Sequence, residues 1–255
     1  MTWQHIRLEE APGVARIVLA RPKHNVLNIE MMKELKQALK GLAGDEGLKC
    51  VVIAGDGPSW CAGVDVGEHS PELVGEMMAS FNGIFEVMER IEVPLVAAVH
   101  GPCLGGGLEL AIACDIIVAS ARASFGQPEV RLGFFPPYAA IRLPQLVGPS
   151  RTIEICTTGR TYSAEEARAM GLVGQLVEED QFEGAVQGLV KSLQASSALI
   201  IRLNKRAVRR HLGMEFPAAL AGVTDMFLHT LMKTEDTLEG IKSFYEKRKP
   251  VWKNR

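Results

Sequence analysis

One stretch constrains this chain more than any other: residues 94–129, PLVAAVHGPCLGGGLELAIACDIIVASARASFGQPE. Leu95 to Val99 is a short apolar run, His100-Gly101-Pro102 breaks it, Gly105-Gly106-Gly107 follows, and the pattern turns helical from Leu108 to about Cys114. Those changes of pattern give strand, glycine loop, helix, strand. Glycine lets the backbone approach a ligand closely, and the first N–H groups of a helix have no partner within it. Such a loop attracts a negatively charged oxygen. Two carboxylates flank it, Glu109 just inside the helix and Glu129 after a further strand ending at Phe125-Gly126-Gln127-Pro128. Two acids beside an anion-stabilising loop point to acid–base chemistry on an activated carbonyl. The glycines do not fall as G-x-G-x-x-G and no Gly-Lys-Ser/Thr follows them, so a dinucleotide fingerprint or a phosphate loop is poorly supported. The plainer reading is a glycine turn with a helix-start acid, and only the wider arrangement outweighs it.

The chain is long enough for one large domain, or for a domain with a helical appendage, and its 47% hydrophobic content supplies a core. A net charge of −2 and a pI near 6.3 argue against a nucleic-acid binder driven by overall charge. Cys50, Cys61, Cys103, Cys114 and Cys156 form no C-x-x-C pair and leave one over, so neither zinc nor a disulfide framework is expected. Reduced thiols in a cytoplasmic protein fit this usage. The opening residues Met-Thr-Trp-Gln-His-Ile-Arg carry no apolar signal core, and the longest apolar region is interrupted by His100, Glu109 and Asp115, so no membrane span is expected.

Along the chain, His5–Leu8 and Val14–Ala20 flank the turn Ala11-Pro12-Gly13 and predict a hairpin. Asn28 is placed to cap a helix running to about Leu42, with Met31, Met32, Leu35, Ala38, Leu39 and Leu42 on its apolar face. Cys50 to Ala54 reads as a buried strand, and residues 72–91 as a long helix with a Met and Phe stripe that suits core packing. Tyr138 to Val147 reads as a helix interrupted at Pro144. From Ser150 the chain becomes helix after helix, beginning with a capping box at Ser163 and Glu166 and continuing at about 180–194, 198–211, 216–230 and 234–248. A mixed α/β core over 1–195 and a helical region over 196–255 follow. No repeat is visible in the residues themselves.

Residues 60–65 (Trp-Cys-Ala-Gly-Val-Asp), the run HGPCLGGGLELAIACDIIVAS and the run SFGQPEVRLGFFP together resemble the enoyl-CoA hydratase/isomerase, or crotonase, family from about Val14 to the C-terminus. The resemblance implies an α/β spiral of strand–strand–helix units with a C-terminal helical region that mediates trimerisation. It implies an acyl-CoA substrate, so that coenzyme A arrives as part of the substrate and no separate cofactor or metal is needed, and a homotrimer or a hexamer built from two trimers. Matched position by position, the backbone N–H groups of Val64 and Gly106 become the donors to a thioester enolate oxygen, Glu109 the carboxylate that activates water, and Glu129 the acid that protonates carbon. Ala62, Asp65 and Gly105 fall beside them as substrate-binding positions, Asp65 ordering its loop rather than reacting. One acid suits isomerisation, whereas two suit hydration.

The chain departs from the common hydratase pattern after Glu129. Many straight-chain hydratases carry Gly-Ala-Gly-Gly where this chain has Gly133-Phe134-Phe135-Pro136-Pro137-Tyr138-Ala139-Ala140. Phe134, Phe135 and Tyr138 are expected to form a flat aromatic wall, although packing into the core accounts for such rings equally well. This run looks like the branch that hydrates cyclohexa-1,5-diene-1-carbonyl-CoA in anaerobic benzoyl-CoA degradation. Straight-chain enoyl-CoA hydration and enoyl-CoA isomerisation stand as alternatives. Arg21, Lys23 and the run Lys247-Arg248-Lys249 are available for CoA phosphates, Lys249 from a neighbouring subunit, although a solvated basic face accounts for most of them. A non-catalytic RNA-binding member of the same fold, using Lys205, Arg206, Arg209 and Arg210, is the reading from another class, and overall charge speaks against it. His100 is expected to hold a loop rather than to react.

Overall fold

The computed structural model describes residues 3–255. Its frame is a six-stranded sheet made of β1 (Ile6–Ala11), β2 (Val14–Leu19), β3 (Cys50–Gly55), β4 (Leu95–Val99), β6 (Ile116–Ser120) and β9 (Gln175–Val177), adjacent in that order. β1 and β2 form the expected antiparallel hairpin, and every later pairing in this sheet is parallel. The central strands are runs of small and β-branched apolar residues because they are covered on both faces. Val51, Ile53, Ala97 and Ile117 face one apolar cluster, while Val52, Ala54, Val96 and Val118 face a second with Val186 of α7 (Phe182–Gln194).

A smaller sheet, β5 (Pro102–Leu104), β7 (Ser124–Gly126) and β8 (Thr161–Ser163), stands beside the first, and a bridge from Cys61 to Cys103 extends it toward residue 61. The chain therefore winds in turns, each giving one strand to the large sheet, a segment to the small one, and then a helix. β3 is followed by α2 (Val74–Met88), β4 and β5 by α3 (Gly106–Ala113), and β6 and β7 by α4 (Pro137–Val147). This is the crotonase-like ββα spiral. The repeat is geometric, carried by three-residue strands too short to show a pattern in the sequence.

α1 (Ile29–Leu42) begins where expected, the Asn28 side chain accepting from Met31 N–H, and buries the anticipated face. Pro144 does not interrupt α4, which runs through it to Val147. After α5 (Pro149–Thr158), α6 (Ala164–Ala169) carries the full capping box. α8 (Ala198–Arg210), α9 (Phe216–His229) and α10 (Glu235–Tyr245) complete the chain, and the division at 195/196 falls in the link between α7 and α8.

Most of the basic face of α8 is taken up by ion pairs. Lys205 pairs with Asp115, Arg206 with Glu92, and Arg209 with both Glu89 and Asp115, which ties the helix to the core by internal charge. Of the four residues on which the RNA-binding alternative rests, Lys205, Arg206 and Arg209 are thus engaged in ion pairs, while Arg210 stays exposed. Among the described residues no helix is long and apolar enough to cross a membrane.

Candidate active site

A cavity of about 440 Å³ lies where three turns of the spiral meet. The loop after β3 supplies Ala62, Gly63 and Val64, the start of α3 supplies Gly105, Gly106 and Glu109, and the segment after β7 supplies Glu129, Phe134 and Phe135. The loop at 61–65 is held as a short extended ribbon along residues 24–27. Ala62 N–H donates to His24, Leu27 N–H to Gly63, and Asp65 N–H to Leu27. Asn25, 1% exposed, donates its amide to the carbonyls of Asp56, Ser59 and Trp60 from the near side. Among the described residues no backbone carbonyl outside the local helix and strand ladders takes up the N–H of Val64 or of Gly106.

The glycines are explained by what they stand against. Gly105 has φ 55°, and a Cβ there would come 2.8 Å from Glu129 Oε1. A Cβ on Gly107 would come 2.3 Å from the Cys61 carbonyl oxygen, so its absence lets α3 pack onto the 61–65 loop. Two free N–H groups on closely apposed backbones, beside a helix start, form a site for a negatively charged oxygen.

Glu109 is 2% exposed. Its Oε1 accepts from the N–H groups of Tyr138 (2.7 Å) and Ala139 (2.9 Å), which are orphan amides at the start of α4. Burial pushes its carboxyl up to about 7, the two amides pull the other way, and the charge of Glu129 adds to the rise. Burial also pushes Glu129 up to about 7. Two carboxyls titrating near neutrality in one cavity can hold one proton between them, leaving one as base and one as acid.

Of the sequence-predicted positions, Ala62, Val64, Gly105, Gly106, Glu109, Glu129, Phe134 and Phe135 line this cavity, whereas Asp65, Tyr138 and Lys249 do not. Asp65 orders the loop, accepting from Gly67 N–H and pairing with Arg21. Tyr138 corrects the expectation of a three-ring wall. Its ring turns away from the cavity and stacks on Phe85, centroids 3.9 Å apart and planes at 13°, because α4 starts at Pro137 and commits the side chain to the helix–helix interface. Lys249 lies in the C-terminal tail, where its carbonyl accepts from Arg248. His100 holds a loop, contacting the Gly57 carbonyl.

Three contributors went unread in the sequence. Gln127 is fully buried, and with its amide nitrogen turned toward Glu129 it donates to Oε1 and Oε2, both at 3.0 Å, and to the Gly105 carbonyl at 3.2 Å. An amide two residues before a candidate acid was an available signal. His69 also lines the cavity, its ring centroid 4.8 Å from that of Phe134. The main-chain amides of Tyr138 and Ala139 leave no signal, since every residue except proline has one.

A profile of the family described as "Enoyl-CoA hydratase/isomerase" matches residues 9–255. The chain is similar to the cyclohexa-1,5-dienecarbonyl-CoA hydratase of Thauera aromatica, 35% identical over 97% of this chain and 96% of that one. It is similar to the crotonyl-CoA hydratase of Syntrophomonas wolfei, 34% identical over 98% of each. Among solved structures, an enoyl-CoA hydratase from Bacillus anthracis superposes with a TM-score of 0.94 at 30% identity, over 99% of this chain and 100% of that one.

Proposed function

The chain belongs to the enoyl-CoA hydratase/isomerase family, and from that premise we propose that it adds water to cyclohexa-1,5-diene-1-carbonyl-CoA. The coarser statement holds without the ring: it is an enoyl-CoA hydratase, a hydro-lyase whose substrate is an acyl-CoA. The observation that carries the mechanism is the meeting of Glu109 and Glu129 in one cavity with the unpaired N–H groups of Val64 and Gly106.

In this mechanism Glu109, as carboxylate, removes a proton from water as the water oxygen bonds to the β carbon. The electron pair displaced from the double bond moves to the thioester oxygen, where Val64 and Gly106 N–H stabilise it. The enolate then takes the proton of Glu129. For a straight chain that proton goes to the α carbon, and for the conjugated ring to the far end of the diene, leaving a hydroxy-enoyl thioester. Gln127 fixes the carboxyl of Glu129 for this transfer. Coenzyme A enters as part of the substrate, and no step calls for a resident cofactor.

The ring is favoured by Phe134 and Phe135 on the cavity, where a glycine-rich segment would leave it open, and by the likeness to the Thauera enzyme. A rigid ring held against flat side chains meets the geometric demand of a remote protonation. The test is a comparison of initial rates on cyclohexa-1,5-diene-1-carbonyl-CoA and crotonyl-CoA. A kcat/KM at least tenfold higher on the ring is expected. A preference for crotonyl-CoA would assign the chain to straight-chain hydration instead.

The pH dependence has a definite sign. The active form holds one proton on the pair, with Glu109 ionised and Glu129 protonated. Acid protonates the base and alkali strips the acid, so the rate is expected to be bell-shaped with its maximum near pH 7, the value about which both groups titrate. A rate that climbs steadily from pH 5 to 9 would exclude the shared-proton arrangement.

The assembly is read as a homotrimer or a dimer of trimers. What supports it is the apolar surface that α9 and α10 leave exposed, with Phe216 at 74%, Phe227 at 53% and Phe244 at 78%. Light scattering is expected to return the mass of three or six chains. A monomer would overturn this reading.

A further inference from the structure

Behind the catalytic cavity lies a second, larger one of about 790 Å³, with apolar walls that include Ile141, Leu193, Ile200 and Val208. Two helices pass from one cavity to the other. On α2, Met77 and Phe81 line the catalytic cavity, and Glu89, which caps its C-terminal end, lines the second. On α4, Pro137 lines the catalytic cavity and the very next residue, Tyr138, lines the second. The Phe85 and Tyr138 rings meet between these points, and Phe85 is packed edge-on against Phe81 at 4.8 Å. Phe85 is 5% exposed and lines neither cavity. The three rings thus form a continuous partition, with a cavity on each side.

We propose that the Phe85–Tyr138 stack backs Phe81, the ring that faces the acyl pocket, and so sets the size of acyl group this enzyme accepts. The inference rests on the acyl-CoA reading of the catalytic cavity and deepens it. A compact group, ring or four-carbon chain, ends in front of the stack, while a longer chain has to displace it. The space beyond, about 790 Å³, is lined by Ile141, Leu193, Ile200 and Val208 on one side and by the paired charges of Glu89, Asp115, Lys205 and Arg209 on the other, so the two rings, and not lack of room, impose the limit. Stacked rings packed on a third ring resist rotation because each χ change breaks contact on both faces. The wall is also independent of the chemistry, since the Tyr138 group that meets Glu109 is its main-chain N–H and not its ring.

The test compares crotonyl-CoA with trans-2-decenoyl-CoA on the wild type and on Phe85→Ala and Tyr138→Ala, with Phe85→Leu and Tyr138→Leu as milder versions should the alanine variants unfold. Each variant is scored by its own decenoyl-to-crotonyl ratio of kcat/KM, so a general loss of activity cancels. The wild type is expected to favour the short chain, and opening the wall to raise the ratio at least tenfold. Binding of decanoyl-CoA and butyryl-CoA, measured by calorimetry on the same proteins, is expected to shift in the same sense without any turnover. A wild type that hydrates both chains equally would overturn the wall, as would folded variants whose ratios do not move. If the binding ratios shift while no enoyl-CoA is hydrated, the wall stands and the hydratase reading falls.

Discussion

Glu109→Gln is expected to lower kcat about 10³–10⁴-fold on whichever enoyl thioester the enzyme prefers, the upper range of what a positioned acid or base contributes. The amide keeps the volume of the carboxyl, and its oxygen can still accept from Tyr138 and Ala139 N–H, so the fold and the cavity should survive. What disappears is the carboxylate that serves a water molecule as base next to the start of α4. Glu129→Gln should cost a similar factor by a different route, leaving an enolate without its proton donor. The two variants differ in exchange chemistry. An enzyme without Glu129 should fail to exchange product C–H with solvent deuterium, whereas an enzyme that retains near-normal isomerisation without Glu109 would move the chain to the isomerase branch.

Gly107→Ala should be nearly as damaging although Gly107 touches no reacting atom. A methyl there would stand 2.3 Å from the Cys61 carbonyl oxygen and 2.9 Å from its carbon, and both obstacles are backbone. Neither α3 nor the 61–65 loop can swing a side chain aside, so the two must separate. The same two segments carry the N–H groups of Val64 and Gly106, so the donors move apart with them. Loss of one such donor costs about 10²–10³ in kcat, and a loss of that size is expected here, with the far-ultraviolet spectrum unchanged. An alanine variant with wild-type kcat would show that the two segments do not act as a pair.

How much of this was legible in the sequence depended on whether a feature resides in side chains or in backbone. The helix at 29–42 and its Asn28 cap, the hairpin at the start, and the capping box at Ser163 were all readable because each has a side-chain signature. The pair Glu109 and Glu129 could be placed beside the glycines because residue type and spacing carry that information. The ββα repeat could not be read, because β5, β7 and β8 are three residues each and alternate too briefly to register. Tyr138 was misplaced for a related reason: a ring one residue inside a helix can face either way, and only the position of α2 decides it. The basic residues of α8 looked like a surface patch because their partners, Glu89, Glu92 and Asp115, are about ninety to a hundred and twenty positions earlier.

The amides of Tyr138 and Ala139 that hold Glu109 belong to the peptide backbone, and so they are the same whatever side chains those residues carry. The side chains of residues 134–138 can therefore drift, enlarging or reshaping the space offered to an acyl group, while the base keeps its orientation, provided that no proline enters at 138 and the buried Ala139 stays small. Selection for a new substrate and preservation of the old chemistry act on different atoms of the same short segment. A lineage can explore one without risking the other.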